Sequence, residues 1–202
     1  PLFLKGNIMA SEVDICNSAL NNIGASTINS LTEDSVPARI MNQRYTFVRD
    51  SVFRSHPWNC LVRRAVLAQN TTAPTWEYTY SYNLPTDPYC LRVLRIEDLD
   101  TDYKVKGRTI VSGNSTMKIK YIARITDPNE YDTLLIETMS ARLAADCAYS
   151  ITNNNSLVST MYALYEAKLK EARFVDATEG MPGGNGADLG SLKADTFINA
   201  RY

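Results

Sequence analysis

His56 and Cys60 stand four residues apart in the stretch Ser55-His56-Pro57-Trp58-Asn59-Cys60, and His56 is the only histidine of the chain. An imidazole beside a thiol could be a nucleophile with its base, or half of a zinc site. Zinc takes four ligands, and the sequence offers no second histidine to complete a usual set. A Cys–His catalytic pair needs side chains that converge, as a rule from distant segments. Here the two are local and flank a proline. The residue before a proline is pushed out of the helical region. His56, Pro57 and Trp58 are therefore expected to form a structural corner, where a helix stops and Trp58 seats the chain as it enters a sheet.

Asp98, Asp100 and Asp102 in "EDLDTDYKVKG" have the spacing of a calcium loop. That pattern wants Gly at the sixth position and Glu at the twelfth, where this chain has Tyr103 and Thr109. A solvated turn is the better expectation. Carboxylates are plentiful, but no spacing singles out a glycosidase pair. There is no G-x-S-x-G, no phosphate-cradling glycine loop and no H-E-x-x-H. The residues thus assign no catalytic group, no cofactor site and no metal site.

The alternation in "TWEYTYSYNLP" puts Trp76, Tyr78, Tyr80 and Tyr82 on one strand face. With Lys104, Lys106, Arg108, Lys118 and Lys120 in nearby strands, they could form a stacking platform for single-stranded nucleic acid. The competing expectation is cross-strand packing in the core of the sheet.

The elements that must position these groups follow from periodicity. Ser11 and Asp14 form a capping arrangement ahead of Ile15, Ala19 and Ile23, and Gly24 marks the stop. Asp34 or Ser35 caps a second helix with Pro37 in its first turn and Met41, Tyr45, Val48 and Val52 on its inner face. Arg39, Arg44, Arg49 and Arg54 recur every five residues, a step of about 140° around a helix, so they spread into a solvated surface. From Leu61 to Ile125 the period is two, with about five short strands, a hairpin at Lys106-Gly107 and a turn at Gly113-Asn114. Asp127, Pro128 and Glu130 read as the start of a third helix, striped by Leu135, Met139, Leu143, Cys147 and Ile151. Ala141, Ala144, Ala145 and Ala148 let a neighbouring helix approach. Ser156 is expected to cap a fourth helix with Val158, Met161, Tyr165, Leu169 and Ala172 inward, ending at Gly180.

The fold class expected is α+β: a bundle of about four helices with an inserted small antiparallel β-domain and an extended C-terminal arm. The divisions are an N-terminal segment (1–10), a helical bundle (11–60 and 126–179), the β-domain (61–125), and a Gly-rich linker and arm (180–202). Five of the nine glycines fall in "GMPGGNGADLG". The segment beyond it carries Phe197, Ile198, Arg201 and Tyr202, anchors expected to order against a neighbouring subunit or partner.

Of the 202 residues, 45% are hydrophobic and 21% charged, and the formal net charge is −1. A protein that grips nucleic acid through phosphates usually carries a basic surplus, so the total argues against that class. Four cysteines without a CxxC pair read as reduced, buried thiols. The opening "PLFLKGNIMA" is too short in apolar core for a signal peptide, and no run reaches the roughly 18 apolar residues of a membrane helix. A soluble intracellular product is expected.

Several stretches together resemble one family: "ICNSALNNIGASTINSLTEDS", "RDSVFRSHPWNC…RRAVLA", "YNLPTDPYCLRVL", "GRTIVS", "IKYIARITDPNEYDTLLIETMSARLAADCAYSIT" and "EARFVDATEG". The chain is similar over about Ala10 to Gly180 to the tail tubular protein A family, the head–tail adaptor (connector) proteins of short-tailed bacteriophages. Cys60 departs from the family, in which an aromatic is common at that place. The resemblance implies a structural virion protein: a ring of twelve subunits under the portal protein, extending the DNA channel and offering a surface to the tail nozzle protein. Double-stranded DNA would pass without specific binding. It implies a location at the head–tail junction of the virion, with host cytoplasm as the place of assembly. No catalytic residues carry over. The residues alone leave two alternatives open, a single-stranded nucleic-acid-binding module and a virion-associated carbohydrate hydrolase.

Overall fold

The structure, a computed structural model, describes residues 10–98 and 101–179. Within them the chain runs helix, helix, six strands, helix, helix, which is the expected α+β class. Phe197, Ile198, Arg201, Tyr202 and the Gly-rich linker lie outside the described residues.

Helix α1 (Glu12–Asn22) opens on a full capping box: Ser11 Oγ accepts the Asp14 amide, and the Asp14 carboxylate accepts the Ser11 amide. Gly24 follows its last turn at φ +69°, a conformation in which a side chain would be strained. Helix α2 (Val36–Ser55) is capped by Ser35, with Pro37 in the first turn where its missing N–H costs nothing. Met41, Tyr45, Val48 and Val52 are buried along its inner face. Its arginines are not one solvated surface. Arg49 is buried, 3.2 Å from Asp50 and 3.8 Å from Glu12, with its guanidinium 5.9 Å from the Tyr45 ring centre. Arg44 reaches Asp146 at 2.7 Å, and Arg54 donates to the Leu91 carbonyl at 2.6 Å. The five-residue step spreads them as expected, and the spread aims three of them at different neighbours.

Helix α3 (Thr133–Thr152) begins five residues later than the Asp127 start signal. Asp127 caps a single 3-10 turn (Pro128–Glu130), and Asp132 caps α3 by accepting the Leu134 and Leu135 amides. Two acceptors in tandem split one predicted start into two. Leu135, Met139, Leu143 and Cys147 are fully buried, as are Ala144 and Ala148, and α3 packs along helix α4 (Asn155–Glu179). The reversal between them is made by Asn153 in the left-handed region (φ +53°). The cap of α4 is Asn154, whose Oδ1 accepts the Ser156 and Leu157 amides; Ser156 lies inside the first turn.

The strands form two three-stranded antiparallel sheets. Strands β1 (Val62–Leu67), β6 (Met117–Ala123) and β3 (Cys90–Ile96) lie in the order β1-β6-β3. Strands β2 (Tyr80–Asn83), β5 (Thr109–Ser112) and β4 (Tyr103–Lys106) lie in the order β2-β5-β4. The β4–β5 hairpin pairs Lys106 with Thr109, so its two loop residues are Gly107 and Arg108, one place later than expected, with Gly107 at φ +61°. Arg108 then folds inward to donate to the Pro85 and Cys90 carbonyls, and the guanidiniums of Arg108 (3.9 Å) and Arg124 (4.3 Å) both stack over the Tyr89 ring. This stack joins the two sheets. One continuous cluster of buried side chains runs through helices and strands alike, from Ile15 and Phe53 to Ile110 and Ile122.

The aromatic stripe is broken. Glu77 adopts φ +75°, which ends strict alternation before Tyr80, and only residues from Tyr80 onward are strand. Trp76 is 74% exposed, whereas Tyr82 is fully buried with its hydroxyl donating to the Asn114 carbonyl. Neither the four-aromatic platform nor a four-aromatic core is formed.

Candidate functional site at the His56–Trp58 corner

The corner is built by the end of one helix and the side of another. Helix α2 stops at Ser55, and His56 takes an extended backbone (φ −149°, ψ 150°) because Pro57 follows it. The last carbonyls of a helix lack partners within it. Here the indole Nε1 of Trp58 donates to the Val52 carbonyl at 3.0 Å, Ser55 Oγ donates to the same oxygen at 2.7 Å, and Arg173 of α4 donates to the Ser55 carbonyl at 3.0 Å. Trp58 itself is completely buried, so its hydrophobic body and its N–H are both satisfied.

Asp176, near the end of α4, completes the arrangement. Its Oδ1 accepts the Asn59 amide at 2.8 Å, its Oδ2 lies 3.0 Å from His56 Nε2, and its own carbonyl accepts Asn59 Nδ2 at 2.6 Å. Asp176 is 8% exposed, and a buried carboxylate is tolerated only where its oxygens are bonded. The His56 ring is also set edge-on to Trp58, centres 4.8 Å apart. So the imidazole is held between an indole and a carboxylate.

Cys60 is not drawn into a reactive pair. Burial pushes its thiol up from the usual range, which keeps it protonated at neutral pH and a poor nucleophile. His56 turns its Nε2 to Asp176. Cys16, Cys90 and Cys147 are buried free thiols. Among the described residues no three His, Cys, Asp or Glu side chains are placed to hold a metal ion. Chemically the corner is a strut: it fixes the last turns of α4 against the junction of α2 and β1.

The sequence brought His56, Pro57 and Trp58 forward and missed Asp176 and Arg173. A signal was present. Asp176 follows Ala172 by four residues on the inward stripe that includes Tyr165 and Leu169, and a carboxylate in an apolar stripe must find a buried partner.

The basic and aromatic residues considered for stacking are dispersed. Lys104 and Lys106 both pair with Glu77 and sit over the Tyr78 ring, whose hydroxyl donates to Asp102 at 2.8 Å. Arg108 is consumed by backbone carbonyls, and Lys118 and Lys120 belong to the other sheet.

Compared with known protein families, the chain matches no family model. No curated protein matches it either.

Proposed function

We propose that the chain is a structural subunit of a head-to-tail adaptor ring, joining a portal protein to a tail nozzle protein and extending the channel through which double-stranded DNA passes. The observation that carries this reading is the Asp176 strut. The residue types best suited to chemistry, His56 and Cys60, are spent on bonding and packing where α4 ends, at the point from which residues 180–202 continue. A rigid body that fixes the root of a terminal segment is what a subunit needs to hand that segment to a neighbour. Heterologous contacts repeated about an axis close into a ring, and many weak contacts then act together. The sequence resemblance supplies the partner identities and the expected copy number of twelve. The test is negative-stain imaging of the purified chain, alone and mixed with the portal protein. Rings of about twelve subunits support the proposal; single particles the size of one chain in both samples would overturn it.

A further inference from the structure

The outer face of the β1-β6-β3 sheet carries a row of cations, of which only Lys118 has a carboxylate partner among the described residues. In β6, Lys118 and Lys120 alternate with buried Met117, Ile119 and Tyr121, so the two lysines share the face turned from the core. Lys120 is in register with Arg64 of β1 on one side and Arg95 of β3 on the other. Arg92, paired with Ile122, lies on the same side of β3. Three positions apart on a regular strand, Arg92 and Arg95 would point to opposite faces. The register shift between Val93 and Arg95 returns both to one face, as β-bulges do when they re-aim a side chain.

Lys118 is neutralised by Glu97 at 2.8 Å, and Arg92 donates to the Arg54 carbonyl at 3.2 Å. Arg64, Arg95 and Lys120 have no hydrogen-bond or ion-pair partner among the described residues. Strands lie about 4.8 Å apart, so these charges stand in a row roughly 10 Å long. Like charges directly opposite one another destabilise a sheet. The isolated subunit bears that repulsion, and a bound polyanion relieves it.

We propose that this face binds the phosphate backbone of double-stranded DNA, without sequence preference. A protein partner fits less well. Protein interfaces place apolar residues at the centre and charge at the rim, whereas here the cations are central and Val66 is the exposed apolar residue beside them. A single strand also fits less well, because the groove over this face is lined by Arg64, Val66, Arg95, Glu97, Lys118 and Lys120 and offers no aromatic ring for stacking. The net charge of −1 averages over the whole chain and conceals the row. The proposal goes beyond the ring reading and does not depend on it.

The experiment is fluorescence anisotropy of a short, mixed-sequence DNA duplex titrated with the full chain at several salt concentrations. With three phosphate contacts, log affinity should fall with log salt at a slope of about −2.7. Arg64→Ala with Arg95→Ala should weaken binding at least about tenfold at low salt and reduce the slope to about −0.9. Arg39→Ala with Lys170→Ala removes the same charge from exposed helix positions and should leave binding within about twofold. Glu97→Gln frees Lys118 and should tighten binding, steepening the slope to about −3.6. Absence of duplex binding by the unmodified chain overturns the proposal. So does equal loss in the two double variants, or displacement of the duplex by polyglutamate at equal charge concentration, which would point to an acidic protein.

Discussion

The Asp176 carboxylate accepts the Asn59 backbone amide at 2.8 Å across 117 residues of chain. With the 3.0 Å contact from His56 and the reverse bond from Asn59 to the Asp176 carbonyl, it holds α4 to the α2–β1 junction. Much of what the corner does mechanically rests on this one side chain.

Asp176→Ala should therefore destabilise the fold by about 1–3 kcal/mol, since it removes the acceptor of the part-buried Asn59 amide and unpairs His56. Asp176→Asn keeps an acceptor for one of the two donors and should lose about half as much. Urea denaturation of both variants checks the order. Equal stability of Asp176→Ala and the unmodified chain would remove the strut from the account.

Trp58→Ala should cost about 3–5 kcal/mol, the range for truncating a fully buried aromatic. Trp58→Phe retains most of the packing but leaves the Val52 carbonyl without its indole donor, for a loss of about 1–2 kcal/mol. Denaturation midpoints measure both. A Trp58→Ala protein that stayed as stable but lost an activity would contradict the structural reading of the corner.

Burial pushes the Cys16 thiol up to about 12 and the Cys147 thiol up to about 11. Above the usual thiol value near 9, the unfolded chain releases these protons while the folded chain keeps them. The folded state is then the one that binds more protons, so stability falls as pH rises from about 9 towards 11. The stabilisation is fully present below pH 9. The buried phenols of Tyr45 and Tyr131, also raised chiefly by burial, act in the same direction. Denaturant melts at pH 8 and pH 10.5 should differ by at least about 1 kcal/mol; a flat profile would count against these thiols being buried as described.

Removing residues 183–202 should leave the described body folded, because its helices and sheets close their core without that segment. Assembly into rings, or onto the portal protein, should weaken. Light scattering of the truncated chain with and without portal protein tests this, and unchanged assembly would rule out the arm as a contact.

What could be read in advance was local. The Ser11–Asp14 box, the Ser35 cap and the inner stripes of α2 and α3 depend on residues three or four apart, and the structure has them. What was missed depends on tertiary neighbours. Nothing in the helix of Arg49 supplies Glu12, the partner that helps to draw it from solvent. Alternation carries the tyrosine stripe back to Trp76 and cannot show that Glu77 turns to φ +75°. Asp127 and Asp132 both carry cap chemistry, and which one starts α3 is decided by packing. At the corner, proline and tryptophan announced the bend, while Asp176 needed the fold to bring it across. The cation row was hidden for a different reason: the register shift between Val93 and Arg95 overrides the period on which face assignments rest.

The central claim, that this chain is a ring-forming structural subunit, is tested most directly by its mass in solution. Size-exclusion chromatography with multi-angle light scattering, with and without portal protein, should show a 22.6 kDa chain assembling into a species on the order of 270 kDa, or into a larger complex containing it. A mass that stays at 22.6 kDa in both conditions would contradict the account.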